Sequence, residues 1–138
     1  MNRNTITLII TSLLSILLFS LHLADDIVRG FEPGTLTNLQ AVLIFVFWMY
    51  GTLVLTGRRS GYIITLLGGL FSLVVPLAHM RGKGVGVASR LANTSGHLFF
   101  VWILFAIGVT GLFSAILSVH GLWSLRRGSG ALASAPAG

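Results

Sequence analysis

The chain has 138 residues, of which 54% are hydrophobic and only 9% are charged, and its mean hydropathy is +0.92. A soluble domain carries roughly 25% charged residues, so this composition excludes an ordinary water-facing surface, and its apolar excess excludes a disordered chain. Because the chain has no cysteine, disulfides, thiolate metal sites and thiol nucleophiles are excluded as well.

The formal net charge of +6 does not indicate a nucleic-acid partner. The basic residues stand singly or in pairs at the ends of long apolar runs, as in Arg58-Arg59 and Arg126-Arg127. Nucleic-acid-binding domains gather such residues into one patch or stripe, whereas basic residues that bracket apolar runs are typical of membrane spans. The sequence therefore predicts the lipid bilayer as a partner and no nucleic acid.

Four apolar stretches predict the architecture. A bilayer core about 30 Å thick needs roughly 20 apolar residues per helix, and the stretches at about 5–24, 39–55, 62–80 and 97–125 contain no charged residue. We therefore predict an all-α integral membrane four-helix bundle over residues 1–125. The first stretch is kept as an uncleaved helix, because cleavage after Ala24 would put His22 where a signal peptidase needs a small residue. The low-complexity end predicts a disordered cytoplasmic tail over residues 126–138.

The distribution of Lys and Arg predicts the orientation of the bundle. Five lie on the side of the amino terminus: Arg3, Arg58, Arg59, Arg126 and Arg127. Four lie on the opposite side: Arg29, Arg81, Lys83 and Arg90. Since the first group lies directly against span ends, we predict that both termini are cytoplasmic (N-in/C-in) in a multi-pass protein of the cytoplasmic (inner) membrane.

Polar residues recur on one face of the first and third helices. At about 100° per residue, the first helix has a polar stripe that consists of Thr7, Thr11, Ser15, His22, Asp25, Asp26 and Arg29. The third helix has a stripe that consists of Gly61, Thr65, Gly68, Ser72, Pro76 and His79. Polar groups in lipid normally face protein or water, so we predict that the two stripes face each other. The fourth helix has a small-residue face suited to helix packing.

Both stripes end in a histidine at the outer side of the bundle. His22, Asp25, Asp26 and His79, with Arg29 as a counter-charge, are the predicted ion- or ligand-binding residues. Imidazole and carboxylate groups suit a transition metal ion such as zinc, iron or copper, and the candidate metal ligands are His22, His79, His97 and Asp26. Axial ligation of haem b by two histidines is less favoured, because a packed bundle leaves no cofactor-sized gap.

Several interpretations of this cluster stay open. It predicts a binding site for an ion, proton or small solute in a carrier or an accessory subunit, which acts as a homo-oligomer or in a larger membrane complex. A metal-dependent membrane enzyme that uses His22, His79 and Asp25 or Asp26 is an alternative, with catalytic residues unknown; binding or transport is favoured over catalysis. In a structural or lipid-interacting protein with no internal site, Arg29 would simply pair with the aspartates, and Arg81, Lys83 and Arg90 would contact lipid phosphates.

Overall fold

The computed structural model describes residues 2–81 and 96–133, and these form four helices without a strand among them. The helices are α1 (Arg3–Val28), α2 (Leu39–Leu53), α3 (Arg59–Arg81) and α4 (His97–Ala133). A short 3-10 turn, Leu36–Asn38, leads into α2. The described residues confirm the all-helical class, and they contain four helical segments long and apolar enough to cross a membrane. The second of these, Leu36–Leu53, combines the 3-10 turn with α2.

Local signals set where the helices begin and end. The side chain of Asn2 accepts a hydrogen bond from the backbone N–H of Thr5 at 2.8 Å and so caps α1. Gly30 follows the end of α1 with φ of +75°, and Gly57 lies between α2 and α3 with φ of +76°. Glycine adopts this left-handed backbone without a steric cost. The short connection around Gly57 joins α2 and α3 as an antiparallel hairpin.

The bundle buries polar side chains beside apolar ones and exposes many large apolar side chains. Serine side chains from three helices are 0% exposed: Ser12, Ser15, Ser72, Ser114 and Ser118. Large apolar side chains are meanwhile exposed on all four helices. An apolar exterior of this extent is typical of a surface that faces a membrane or another protein, and small residues at helix interfaces are what membrane helices use to approach each other closely. The chain therefore has the features of a multi-pass membrane protein.

Helix α4 packs against both α1 and α3 through hydroxyl pairs. Ser15 donates to Thr110 Oγ1 at 2.8 Å, and Ser114 donates to Thr11 Oγ1 at 3.0 Å. On the other side of α4, the hydroxyl groups of Thr65 and Ser118 lie 2.8 Å apart. The predicted packing role of the small-residue face of α4 agrees with these contacts.

The predicted facing of the two polar stripes needs a correction. Thr11 and Ser15 of α1 and Thr65 of α3 instead pair with hydroxyl groups of α4, which lies between the two helices. Ser12 of α1 pairs with Thr52 of α2. The stacked pair Phe19–Phe71 and the pair His22–His79 join α1 to α3 directly. The two polar stripes therefore face each other only near the end of the bundle where His22 and His79 lie.

The end of the chain also differs from the expectation. Helix α4 continues to Ala133, whereas a disordered tail was expected from residue 126. Extending an existing helix adds one hydrogen bond per residue, and Ala131, Leu132 and Ala133 are good helix formers. The rest of the predicted tail, residues 134–138, lies outside the described residues, as do Lys83 and Arg90.

Candidate metal centre

Helix α1 supplies a histidine and an aspartate one turn apart. Residues four positions apart lie on one face of a helix, and His22 Nε2 is 3.5 Å from Asp26 Oδ2. The two side chains are only 7% and 14% exposed. The spacing in the sequence thus places an imidazole and a carboxylate together in a largely buried position.

Helix α3 brings the second histidine to this pair. The His22 and His79 rings pack edge to face with their centroids 4.9 Å apart. His79 Nδ1 lies 2.8 Å from the backbone carbonyl oxygen of Val75. Because a carbonyl can only accept, Nδ1 carries the hydrogen, and in the neutral ring the lone pair is then on Nε2. Such a hydrogen bond is the usual way in which proteins orient a metal-binding histidine.

The ligand atoms of His22, Asp26 and His79 lie within 4.8 Å of one another. Four ligands at about 2.1 Å from a tetrahedral metal ion are themselves separated by about 3.4 Å. The distance of 3.5 Å between His22 Nε2 and Asp26 Oδ2 is already close to this separation. The remaining separations are at most 4.8 Å, so the three residues could hold one metal ion once their side chains close around it.

Two polar atoms in this group have no hydrogen-bond partner. They are His22 Nδ1 and Asp26 Oδ1, and both are buried. A buried polar group without a partner costs about 1–3 kcal/mol, and such groups call for an explanation, of which an ion is one. The site therefore has both the ligand types and the unused binding capacity that a cation requires.

Phe100 of α4 closes the third side of the site. Its ring centroid lies 5.5 Å from that of His22 and 5.8 Å from that of His79, and the residue is 1% exposed. Phe31, from the connection after α1, packs against the cluster that contains Phe100. With the two histidine rings in direct contact and a phenyl ring beside them, there is no gap for a porphyrin, and haem b does not fit this geometry.

Asp25 and Arg29 are near the site but are not part of it. Arg29 Nε donates to Asp25 Oδ2 at 2.8 Å, and this hydrogen bond raises the pKa of the guanidinium group, which keeps Arg29 charged. The guanidinium group also lies against Gly96, where a side chain would collide with it. The expected helix-end ion pair thus exists, but it uses Asp25 and leaves Asp26 to the histidines.

The outcome for the predicted residues is therefore mixed. His22, Asp26 and His79 converge, whereas Asp25 and Arg29 bind each other. His97 is the first residue of α4, and its side chain lies outside the described part of the structure. The sequence analysis missed Phe100 as a wall of the site, although its position one turn after His97 places it at the correct end of α4.

Comparisons with protein-family models, with curated proteins and with solved structures find no match to this chain. The functional argument therefore depends on the residues and on their geometry.

Proposed function

We propose that this protein is a multi-pass membrane protein that binds a divalent transition metal ion through His22, Asp26 and His79. The observation that supports this most strongly is the convergence of three ligand atoms from two helices within 4.8 Å. The buried atoms without a partner on His22 and Asp26 support it independently. One ion can bind only one nitrogen of the His22 ring, so it would satisfy both atoms only if it were bound through His22 Nδ1 and Asp26 Oδ1 rather than through the Nε2 and Oδ2 atoms that lie 3.5 Å apart.

The ligand types indicate the class of ion. Two imidazoles and one carboxylate suit zinc, iron, cobalt, nickel or copper, whereas calcium and magnesium prefer an all-oxygen shell. Affinity alone does not identify which of these transition metals binds, because most sites of this type rank the divalent first-row metal ions in the same order of affinity. Three protein ligands leave a coordination position open for water or for a partner's ligand.

Binding or transfer of the ion fits the site better than hydrolysis does. A metal-dependent hydrolase needs a base beside the metal-bound water, and Asp25 is held by Arg29. Asp26 would then have to act as ligand and base together. His79 and Asp26 are partly exposed, so an ion can exchange with the aqueous side. These features support a carrier or an accessory subunit of a membrane complex.

The orientation belongs to the same proposal. Arginine pairs at residues 58–59 and 126–127 flank the end of the bundle opposite to His22 and His79. By the positive-inside rule, that end is cytoplasmic and both termini are inside. The metal centre then lies at the outer side of a cytoplasmic membrane.

Metal content of the purified protein tests the proposal. The protein is loaded with Zn²⁺ in detergent, free ion is removed, and bound zinc is measured by mass spectrometry. We expect about one zinc per chain and a loss of affinity greater than about 100-fold in His22→Ala, His79→Ala and Asp26→Asn, since outer-shell changes alone cost 10–100-fold.

Two control variants are matched to these ligands. Asp25→Asn removes the neighbouring carboxylate, and His120→Ala removes an exposed histidine at the opposite end of the bundle. Both should bind zinc like the original protein. Equal losses in Asp25→Asn and Asp26→Asn, or zinc binding that survives in the His22→Ala, His79→Ala double variant, would contradict the proposal.

Proton transport is a second candidate, favoured by the 3.5 Å contact between His22 and Asp26. Intramembrane ionisable groups often mark proton pathways. In this case the purified protein binds no zinc but moves protons across liposome membranes. That flux should stop in Asp26→Asn and continue in Asp25→Asn.

A further inference from the structure

A groove between α3 and α4 lies at the end of the bundle opposite to the metal centre. It has a volume of about 1020 Å³ and is lined by Arg59, Ile63, Val119, Leu122, Trp123 and Arg126, among others. Arg59 is the first residue of α3, and His79 lies about 30 Å further along that helix at 1.5 Å per residue. The groove is therefore separate from the proposed metal centre and does not depend on it.

The walls of the groove divide by polarity. Ile63, Val119 and Leu122 are apolar and lie on the helix segments that are apolar enough to span a membrane. Arg59 and Arg126 add two positive charges to the lining. Trp123 lies next to them, and the Arg127 guanidinium group stacks on its ring at 3.8 Å. Tryptophan and arginine at the end of a span are typical of the headgroup region of a bilayer.

The arginines at this end have no acidic partner among the residues that the structure describes. All three Asp and Glu residues lie within residues 25–32, at the opposite end of the bundle. Among the described residues, ion pairs form only there, between His22 and Asp26 and between Arg29 and Asp25. No aspartate or glutamate of the chain lies at this end, so Arg59 and Arg126 are available to an anionic group from outside the chain.

We propose that the groove binds an anionic phospholipid. Its phosphate lies between the guanidinium groups of Arg59 and Arg126, and one acyl chain lies along Ile63 and Leu122. Guanidinium groups bind phosphate through paired hydrogen bonds, and basic pockets between membrane helices on the cytoplasmic side bind anionic headgroups. A second copy of the chain does not suit the groove, because it has no acidic residue to offer outside residues 25–32.

Native mass spectrometry of the full chain in detergent tests this site. Phosphatidylglycerol is titrated against phosphatidylcholine, and the bound lipids are counted. An arginine near a membrane surface contributes about 1 kcal/mol of binding to anionic lipid, so the Arg59→Gln, Arg126→Gln double variant should bind phosphatidylglycerol about 30-fold more weakly. Its affinity for phosphatidylcholine should stay unchanged.

The matched control is the Arg3→Gln, Arg58→Gln double variant, which removes the same charge at the same end of the bundle but outside the groove. It should keep most of its affinity for phosphatidylglycerol. Equal losses in the two double variants would overturn the proposal, because they would show attraction to net charge rather than a built site. Unchanged binding in Arg59→Gln, Arg126→Gln would overturn it as well.

A second pair of variants tests the acyl chain. Ile63→Trp fills the groove without changing charge, whereas Leu70→Trp adds the same ring two turns along α3, outside the groove. Only Ile63→Trp should lower the occupancy by phosphatidylglycerol. Glycerol phosphate, which has the phosphate without acyl chains, should not compete; displacement of the lipid by equimolar glycerol phosphate would overturn the assignment to a lipid. Circular dichroism confirms that each variant remains helical.

Discussion

Two adjacent carboxylates of α1 have different partners, and this difference defines the site. Asp25 pairs with Arg29, four residues later, and Asp26 lies beside His22, four residues earlier. Both are ordinary contacts along one helix face. Only the second pair is met by a histidine from another helix, so only Asp26 gains the geometry of a metal ligand.

Replacing His22 and Asp26 should change the stability of the protein differently if they are metal ligands than if they form a structural ion pair. The atoms without a partner on His22 and Asp26 cost stability in the ion-free protein, and apolar side chains of similar size avoid that cost. We therefore expect the His22→Leu, Asp26→Leu double variant to have a melting temperature in detergent equal to or above that of the ion-free original. Zn²⁺ at 100 times its Kd should stabilise the original protein by about 2.7 kcal/mol and leave the variant unchanged. A variant that melts earlier than the ion-free original would indicate a structural ion pair instead.

The sequence predicts which residue types gather at this end, but not how they pair. Spacings of three and four residues put Asp25 and Asp26 on one face with His22, so neither carboxylate is preferred by periodicity alone. The two pairs at a spacing of four, 22–26 and 25–29, were the available signal. The contact with His79 depends on how α1 and α3 pack, which no local pattern contains.

The buried face of α1 is rotated from the polar stripe that the sequence analysis identified. The residues that the structure buries on α1 are Thr5, Leu8, Ser12, Ser15, Phe19 and His22. They alternate at spacings of three and four, which is the 3.5-residue repeat of helices that pack along a seam. The predicted stripe followed polarity alone and therefore included the exposed Thr7 and omitted the buried Thr5 and Ser12. The four spans were predictable because hydropathy reports them directly. The buried seam of α1 was not, because it includes Leu8 and Phe19, and a search for polar residues does not identify buried apolar ones.

Helices α3 and α4 approach each other closely at glycines. A Cβ atom added to Gly69 would lie 2.8 Å from the Gly111 carbonyl oxygen and 2.9 Å from the Ala115 backbone nitrogen. Backbone atoms cannot rotate away, so Gly69→Ala should separate the helices and destabilise the protein by about 1–3 kcal/mol. At Gly108 the nearest atom is Pro76 Cγ at 3.4 Å, so Gly108→Ala should be neutral or stabilising by up to about 1 kcal/mol. Unfolding in detergent compares the two variants, and equal effects would contradict this account of the interface.

The hydroxyl pair between Thr65 and Ser118 joins the same two helices nearer to the end of the bundle where Arg59 lies. Both residues are almost fully buried, and their oxygens lie 2.8 Å apart. A double-mutant cycle with Thr65→Val and Ser118→Ala should give a coupling of about 0.6 kcal/mol, and at most about 1.7 kcal/mol, as for other interhelical hydrogen bonds in membranes. Ser124→Ala is the control, because Ser124 donates only within α4, to the His120 carbonyl oxygen. Its coupling to Thr65→Val should be zero within error.

The whole molecule places its unlike charges at opposite ends of an apolar bundle. All three acidic residues lie near the proposed metal centre, and the arginine pairs lie at the other end. Such an asymmetry orients a membrane protein, because the positive-inside rule counts Lys and Arg near span ends. The margin of five against four is small, so the position of the tight Arg58-Arg59 connection decides the predicted orientation.

Cysteine labelling measures this orientation without background, since the chain has no cysteine. Pro33→Cys lies in the connection after α1, Ser60→Cys lies at the start of α3, and both positions are exposed. In intact spheroplasts, a membrane-impermeant maleimide should label Pro33→Cys and leave Ser60→Cys unlabelled; in inside-out vesicles the pattern should reverse. Labelling of both in detergent confirms that each thiol is reachable. The opposite pattern in spheroplasts would invert the orientation and move the proposed metal centre to the cytoplasmic face, where the ions it meets come from the cytosol.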